Sequence, residues 1–120
     1  MGLLYVIEIE PEVEAWLNSL ADREYGRVMA YAELLAEEAQ TLGEPYARYL
    51  GDGVRELRIP LHPLDMRVSY WLGPSQRVIL LTVFRKTRSR ETAEVERAKR
   101  AQKECEAEHG HAGRVYDREV

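Results

Sequence analysis

The chain is short of almost every feature that assigns a chemistry at sight. It has one cysteine, Cys105, and so neither an internal disulfide nor a Cys-rich metal site. Its longest apolar run, Val78 to Phe84 with Thr82 inside it, is far below the roughly 20 residues of a membrane-spanning helix, so no membrane span is expected. The three histidines, His62, His109 and His111, make no pair at zinc-site spacing beyond a short terminal HGH, and neither metal nor cofactor is expected. No GxSxG, phosphate loop or GxGxxG occurs, and Ser69 and Ser89 lack a histidine to complete a triad. No internal repeat, linker or low-complexity segment divides the 120 residues. The first ten, MGLLYVIEIE, lack a basic region and a small-residue cleavage site. Val6 stands where a myristoylation signal needs Ser or Thr, and the expectation is a cytosolic protein.

What the chain does have is charge, unevenly distributed. Charged residues make up 32% of it and the net charge is −4. Met1 to Gly53 sums to −8 and Glu91 to Val120 to −2, whereas Val54 to Arg90 sums to +6. A mildly acidic protein that concentrates its positive charge in one stretch implies a surface facing a polyanion.

The periodicities predict one α+β domain over residues 1–108 and a flexible tail over 109–120, where HGHAGRVYDREV has no period. Leu3 to Glu10 alternates as an edge strand, and Pro11 stops it. Val13, Trp16, Leu17 and Leu20 fall on one face of a short helix. Asp22 is the expected N-cap of a longer helix with a stripe of Val28, Ala32, Leu35, Ala39 and Leu42, ended by Gly43. The two helices are expected as an antiparallel hairpin packed on a small antiparallel sheet. Gly43 to Gly53 reads as a connector. Three strands follow in a meander: VRELRI, MRVSYWL and RVILLTVF, the last apolar on both faces as in a central strand. A C-terminal helix runs from Glu91 to about Glu108.

Alternation along these strands sets Arg55, Leu57 and Ile59 against Val54, Glu56 and Arg58, and Met66, Val68 and Tyr70 against Arg67, Ser69 and Trp71. Guanidinium groups on adjacent strands suit phosphate, because each stays charged and binds two oxygens at once. If Arg67 and one of Arg58, Arg85 or Lys86 converge on one phosphodiester, they can neutralise a pentacoordinate transition state. RNA then supplies its own nucleophile, the 2′-hydroxyl, and no metal is required. Glu56, the one carboxylate within the strand pattern, is either a base or a salt-bridge partner that orients Arg58 or Arg67. Tyr70 is either an acid or stacking surface, or a core residue. His62, in the Pro-bracketed LHPLD, is either within reach of the site or a silent loop residue.

Four ordered segments, LGEPYARYLGDGVRELR, DMRVSYW, ILLTVFRKTR and AEVERAKRA, resemble the toxins of the RelE/ParE superfamily, in its HigB-like branch that includes phage-derived proteins. The most specific pieces are Glu56 to Arg58, Arg67 to Tyr70 and Phe84 to Thr87. The resemblance implies two N-terminal helices on an antiparallel sheet with a C-terminal helix. It also implies metal-independent mRNA cleavage on the ribosome and a neighbouring antitoxin, commonly a helix-turn-helix protein. Carried over by motif, Arg67 would hold the scissile phosphate, Arg58 and Lys86 would assist, and Arg85 and Arg88 would extend the RNA contact. One departure matters. Where some relatives place a Tyr or His as general acid, this chain reads TRSRETAEVE, which leaves Tyr70, His62 or the arginines as donors. The alternatives are a ParE-like gyrase inhibitor without catalysis and an inactive antitoxin-binding prophage protein.

Overall fold

The computed structural model describes residues 4–87, 91–108 and 114–115. In chain order the elements are β1 (Val6–Ile9), α1 (Pro11–Ser19), α2 (Asp22–Glu38), β2 (Ala47–Gly51), β3 (Val54–Leu61), β4 (Leu64–Gly73), β5 (Arg77–Arg85), α3 (Glu91–Ala107) and β6 (Arg114–Val115). The strands form one sheet in the order β2-β3-β4-β5-β1-β6. The α+β class and the β3-β4-β5 meander are as expected. The sheet is larger than expected and mixed, because β1 runs parallel to β5.

Helices cover both faces of the sheet. On one side Val13 and Leu17 of α1, and Val28 and Leu35 of α2, pack with Leu57, Ile59, Val68, Tyr70, Val78 and Leu80. On the other, Ala98 and Cys105 of α3 pack with Val54, Trp71, Ile79 and Leu81. Rather than standing as a hairpin on their own, α1 docks chiefly on β5, and α2 on β3 and β1. The reason is that each helix carries its apolar stripe toward the sheet. The predicted α2 stripe, Val28, Ala32, Leu35, Ala39 and Leu42, is buried throughout.

Four expectations shift. The N-cap of α2 is Ala21, with Asp22 inside the first turn, where its charge suits the helix dipole. The Glu24 carboxylate accepts from the Ala21 N–H at 3.4 Å. The helix ends at Glu38, and the Glu38 carbonyl then accepts from the N–H groups of Thr41 and Leu42, ahead of Gly43. Part of the expected connector is a strand, β2, paired antiparallel with β3. Its turn into β3 places Gly51, Asp52 and Gly53 all at positive φ (105°, 54° and 78°), a run that two glycines make accessible. Finally, β1 is flanked on both sides, since β6 pairs with it. Residues 114–115 thus form a strand within the expected tail, while the other tail residues and Arg88 lie outside the described residues.

A bulge fixes how β5 meets β4. Tyr70 is opposite Leu80 but Ser69 is opposite Thr82, so Leu81 is the extra residue. The half of β5 beyond β1 has a free edge, where the Val83 N–H donates to Glu12 Oε2 at 2.9 Å. Arg97 of α3 grips the same carboxylate at 2.6 and 3.0 Å, tying α3 to α1 around that edge.

Candidate nucleic-acid interface

The face of the sheet that carries α3 divides into two halves. Under the C-terminal part of the helix it is apolar: Val54, Trp71, Ile79 and Leu81. Toward the helix start it is polar. The β3–β4 register pairs Glu56 with Ser69 and Arg58 with Arg67, and the β2–β3 register pairs Arg48 with Glu56, so all five side chains share this half. Phe84 on β5 is opposite Arg67, and Thr82 opposite Ser69. The Ser69 and Thr82 hydroxyls are 2.5 Å apart in the buried floor, and Ser69 Oγ also accepts from the Thr82 N–H at 3.1 Å.

Arg58 and Arg67 are direct cross-strand partners, an arrangement in which like charges repel. Glu56 relieves it. Its Oε2 is 3.5 Å from Arg58 Nε and 3.7 Å from Arg67 Nε. The Glu56 side chain is 3% exposed, Arg67 11% and Arg58 23%, so the carboxylate is the most deeply buried of the three. The two Nε atoms are buried and, among the described residues, make no hydrogen bond; charge holds them, not a directed bond. Glu44 reaches Arg58 Nη1 from outside at 3.5 Å. Lys86, just past β5, is fixed by its own N–H on the Asp65 carbonyl at 2.8 Å, and its Nζ is 2.8 Å from Glu91 Oε1 at the start of α3. This hydrogen bond is the main cause of a Glu91 carboxyl held below its usual range, with Lys86, Arg48 and Arg67 adding charge attraction.

The structure therefore gathers Glu56, Arg58, Arg67 and Lys86 from the sequence expectations, and adds Arg48, Glu44 and Glu91. The missed residues had weak signals. Arg48 lay in a Gly-punctuated segment whose short alternation ARYLG is the strand, and Glu91 read only as a helix-start charge.

Of the alternatives open for Tyr70, the structure has the core residue. It lies on the opposite face from Arg67, sealed in the α1/α2 core, and burial pushes its phenol up to about 12 against the pull of the nearby Arg55 guanidinium. A phenol with no path to this half of the sheet cannot protonate a leaving group there. His62 is exposed in the β3–β4 turn, where it shares a depression with Leu61 and with Arg23, Glu24 and Arg27 of α2, apart from the arginine group. Arg85 is the register partner of Met66 and so belongs to the α1/α2 side, exposed at the strand end.

Comparison with known proteins agrees with this architecture. Residues 15–104 match the family model of phage-derived Gp49-like proteins, a span that contains every residue of the polar half. A search of curated proteins finds no match. Among solved structures, the free state of the E. coli toxin RelE, with two arginines replaced by alanine, superposes with a TM-score of 0.60 at 13% identity, covering 85% of this chain and 98% of that one. The chain belongs to the phage-derived Gp49-like family and carries the fold of RelE.

Proposed function

We propose that the protein is the toxin of a type II toxin–antitoxin pair, HigB-like, which cleaves mRNA at the ribosome with the arginine group as its active site. The observation that carries this reading is the pair of guanidinium groups, Arg58 and Arg67, set side by side against one buried carboxylate with Lys86 nearby. Such a group is preorganised. Glu56 has already met the cost of bringing two like charges together, so both guanidinium groups are in place for phosphate oxygens.

In this reading a backbone phosphate of RNA lies against Arg67 and Arg58. The adjacent 2′-hydroxyl attacks the phosphorus, charge grows on the equatorial oxygens, and the guanidinium groups and Lys86 stabilise it. The 2′-hydroxyl gives its proton to solvent water as it attacks, the P–O5′ bond breaks, and the departing 5′-oxygen takes a proton from water, leaving a 2′,3′-cyclic phosphate and a 5′-hydroxyl. Glu56 serves as the orienting partner. With Tyr70 buried on the other face and His62 on the α2 side, the chemistry rests on charge stabilisation, for which one donor is typically worth about 10²–10³ in rate. In this reading Arg88, which lies outside the described residues, extends the RNA contact, whereas Arg85 faces the α1/α2 side and takes no part in it. The proposed partner is a neighbouring antitoxin with a helix-turn-helix domain, and the proposed site of action is the cytoplasm. No helix among the described residues is long and apolar enough to cross a membrane.

The test is induced expression of wild type and Arg67→Ala, with growth and mRNA 5′-end mapping as readouts. Growth arrest with new mRNA ends, both lost in Arg67→Ala, is the expected result. Arrest with DNA-damage signalling and intact mRNA would instead favour a gyrase inhibitor, and absence of arrest an inactive antitoxin-binding protein.

A further inference from the structure

Glu91 takes no part in the chemistry set out above, yet its carboxylate stands among the groups that perform it. It accepts from Lys86 Nζ at 2.8 Å. It also lines, with Arg48, Glu56, Thr92 and Glu96, a cleft of about 260 Å³ between β2–β3 and the first turns of α3. Arg48 is exposed, on the face it shares with Glu56. A carboxylate bonded to Lys86 in a cleft that Arg48 also lines occupies the position a phosphate would take.

We propose that Lys86 and Arg48 form a phosphate subsite beside the scissile phosphate held by Arg67 and Arg58, that Glu91 fills it as an internal competitor in the free protein, and that RNA enters by displacing Glu91 from Lys86. The inference rests on reading the site as RNA-binding.

Three physical points support it. The Lys86–Glu91 pair is substantially exposed, and such pairs are weak and easily exchanged. A phosphodiester spreads its charge over two non-bridging oxygens and can bridge Lys86 and the Arg48 guanidinium, whereas Glu91 bonds Lys86 through one oxygen. Lys86 does not need Glu91 for its placement, because its backbone N–H is held by Asp65. Glu56 differs on every count: it is buried, it is shared by two arginines, and it stays in place.

The experiment uses the full chain and a fluorescein-labelled single-stranded oligoribonucleotide carrying 2′-O-methyl groups throughout, which blocks the nucleophile so that binding is read without cleavage. Fluorescence anisotropy is measured for wild type, Glu91→Gln, Glu91→Asp, Arg48→Gln and Arg67→Ala over a range of salt. Glu91→Gln is expected to bind about two- to five-fold more tightly than wild type, the scale of one exposed ion pair. Glu91→Asp keeps the competing charge and is expected to show no such gain. Arg48→Gln is expected to bind more weakly, with the salt slope reduced by roughly one. If Glu91→Gln binds as wild type or more weakly while Arg67→Ala still loses affinity, Glu91 merely positions Lys86; the competitor is overturned and the RNA site stands. If neither wild type nor Glu91→Gln binds the free oligoribonucleotide, the subsite and its competitor are overturned, while cleavage at the ribosome is decided by the mRNA 5′-end mapping. Thermal melts by circular dichroism identify a variant that has lost its fold.

Discussion

Replacing Glu56 with glutamine separates the two roles that a carboxylate among arginines can have. In the folded protein Glu56 Oε2 faces Arg58 Nε at 3.5 Å and Arg67 Nε at 3.7 Å. At such distances each pair is worth about 4 kcal/mol of gross attraction at an effective dielectric near 20, most of it offset by the desolvation of the charges. Glu56→Gln removes the attraction but leaves the desolvation, together with the unscreened repulsion between Arg58 and Arg67. Removing one partner of a buried pair typically costs about 3–5 kcal/mol. Because Arg58 is partly exposed and also faces Glu44, we expect the lower end, about 3 kcal/mol, or a Tm lower by about 10 °C for a domain of this size. Urea unfolding followed by the fluorescence of Trp16 and Trp71 measures it. Adding Arg58→Gln to Glu56→Gln should recover part of the loss, since the repulsion goes with it, and millimolar phosphate should stabilise the single variant more than wild type. Stability within about 0.5 kcal/mol of wild type, together with abolished RNA cleavage, would refute the orienting role and make Glu56 the base.

Two further outcomes concern groups outside the site. The Tyr70 phenol, pushed from 10 to about 12 by burial, contributes stability that is fully present below pH 10 and is lost as the pH rises through about 12. The difference is worth about 3 kcal/mol, so Tyr70→Phe should blunt the alkaline unfolding transition followed by circular dichroism while leaving RNA cleavage unchanged. The Cys105 thiol is likewise raised to about 12, by burial first and by the Glu10 carboxylate second. At pH 8 it should react with a thiol-specific chromogenic disulfide only at the rate of unfolding, and fast labelling of the native protein would contradict its burial between α3 and the sheet.

The helices and the three-strand meander were legible because each has a clear period: the α2 stripe at helical spacing, and β3 and β4 alternating by two. The same alternation set Tyr70 against Arg67, and the structure keeps them on opposite faces. Register, however, is a property of pairs of strands. Nothing local told that Arg58 would stand opposite Arg67 with Glu56 close to both, or that a bulge at Leu81 would align Ser69 with Thr82. β2 was hidden because five residues between glycines and a proline look like a loop until a partner strand satisfies their backbone groups, and Arg48 was hidden with it. The parallel pairing of β1 with β5 is a contact between the two ends of the sheet-forming chain, for which no short-range pattern exists. His62 and Arg85 sit one turn or one residue from the arginine group in the chain, and the pleat and the turn send them elsewhere.

If the arginine group drives attack by the RNA's own 2′-hydroxyl, the chemistry of the cut ends records it. After induction in cells, new mRNA termini are assayed for a 5′-hydroxyl, detected as ends that polynucleotide kinase can phosphorylate and that resist a 5′-phosphate-dependent exonuclease. The expected result is 5′-hydroxyl ends that appear with wild type and vanish with Arg67→Ala. New ends bearing 5′-phosphate, or 5′-hydroxyl ends that persist undiminished in Arg67→Ala, would contradict it.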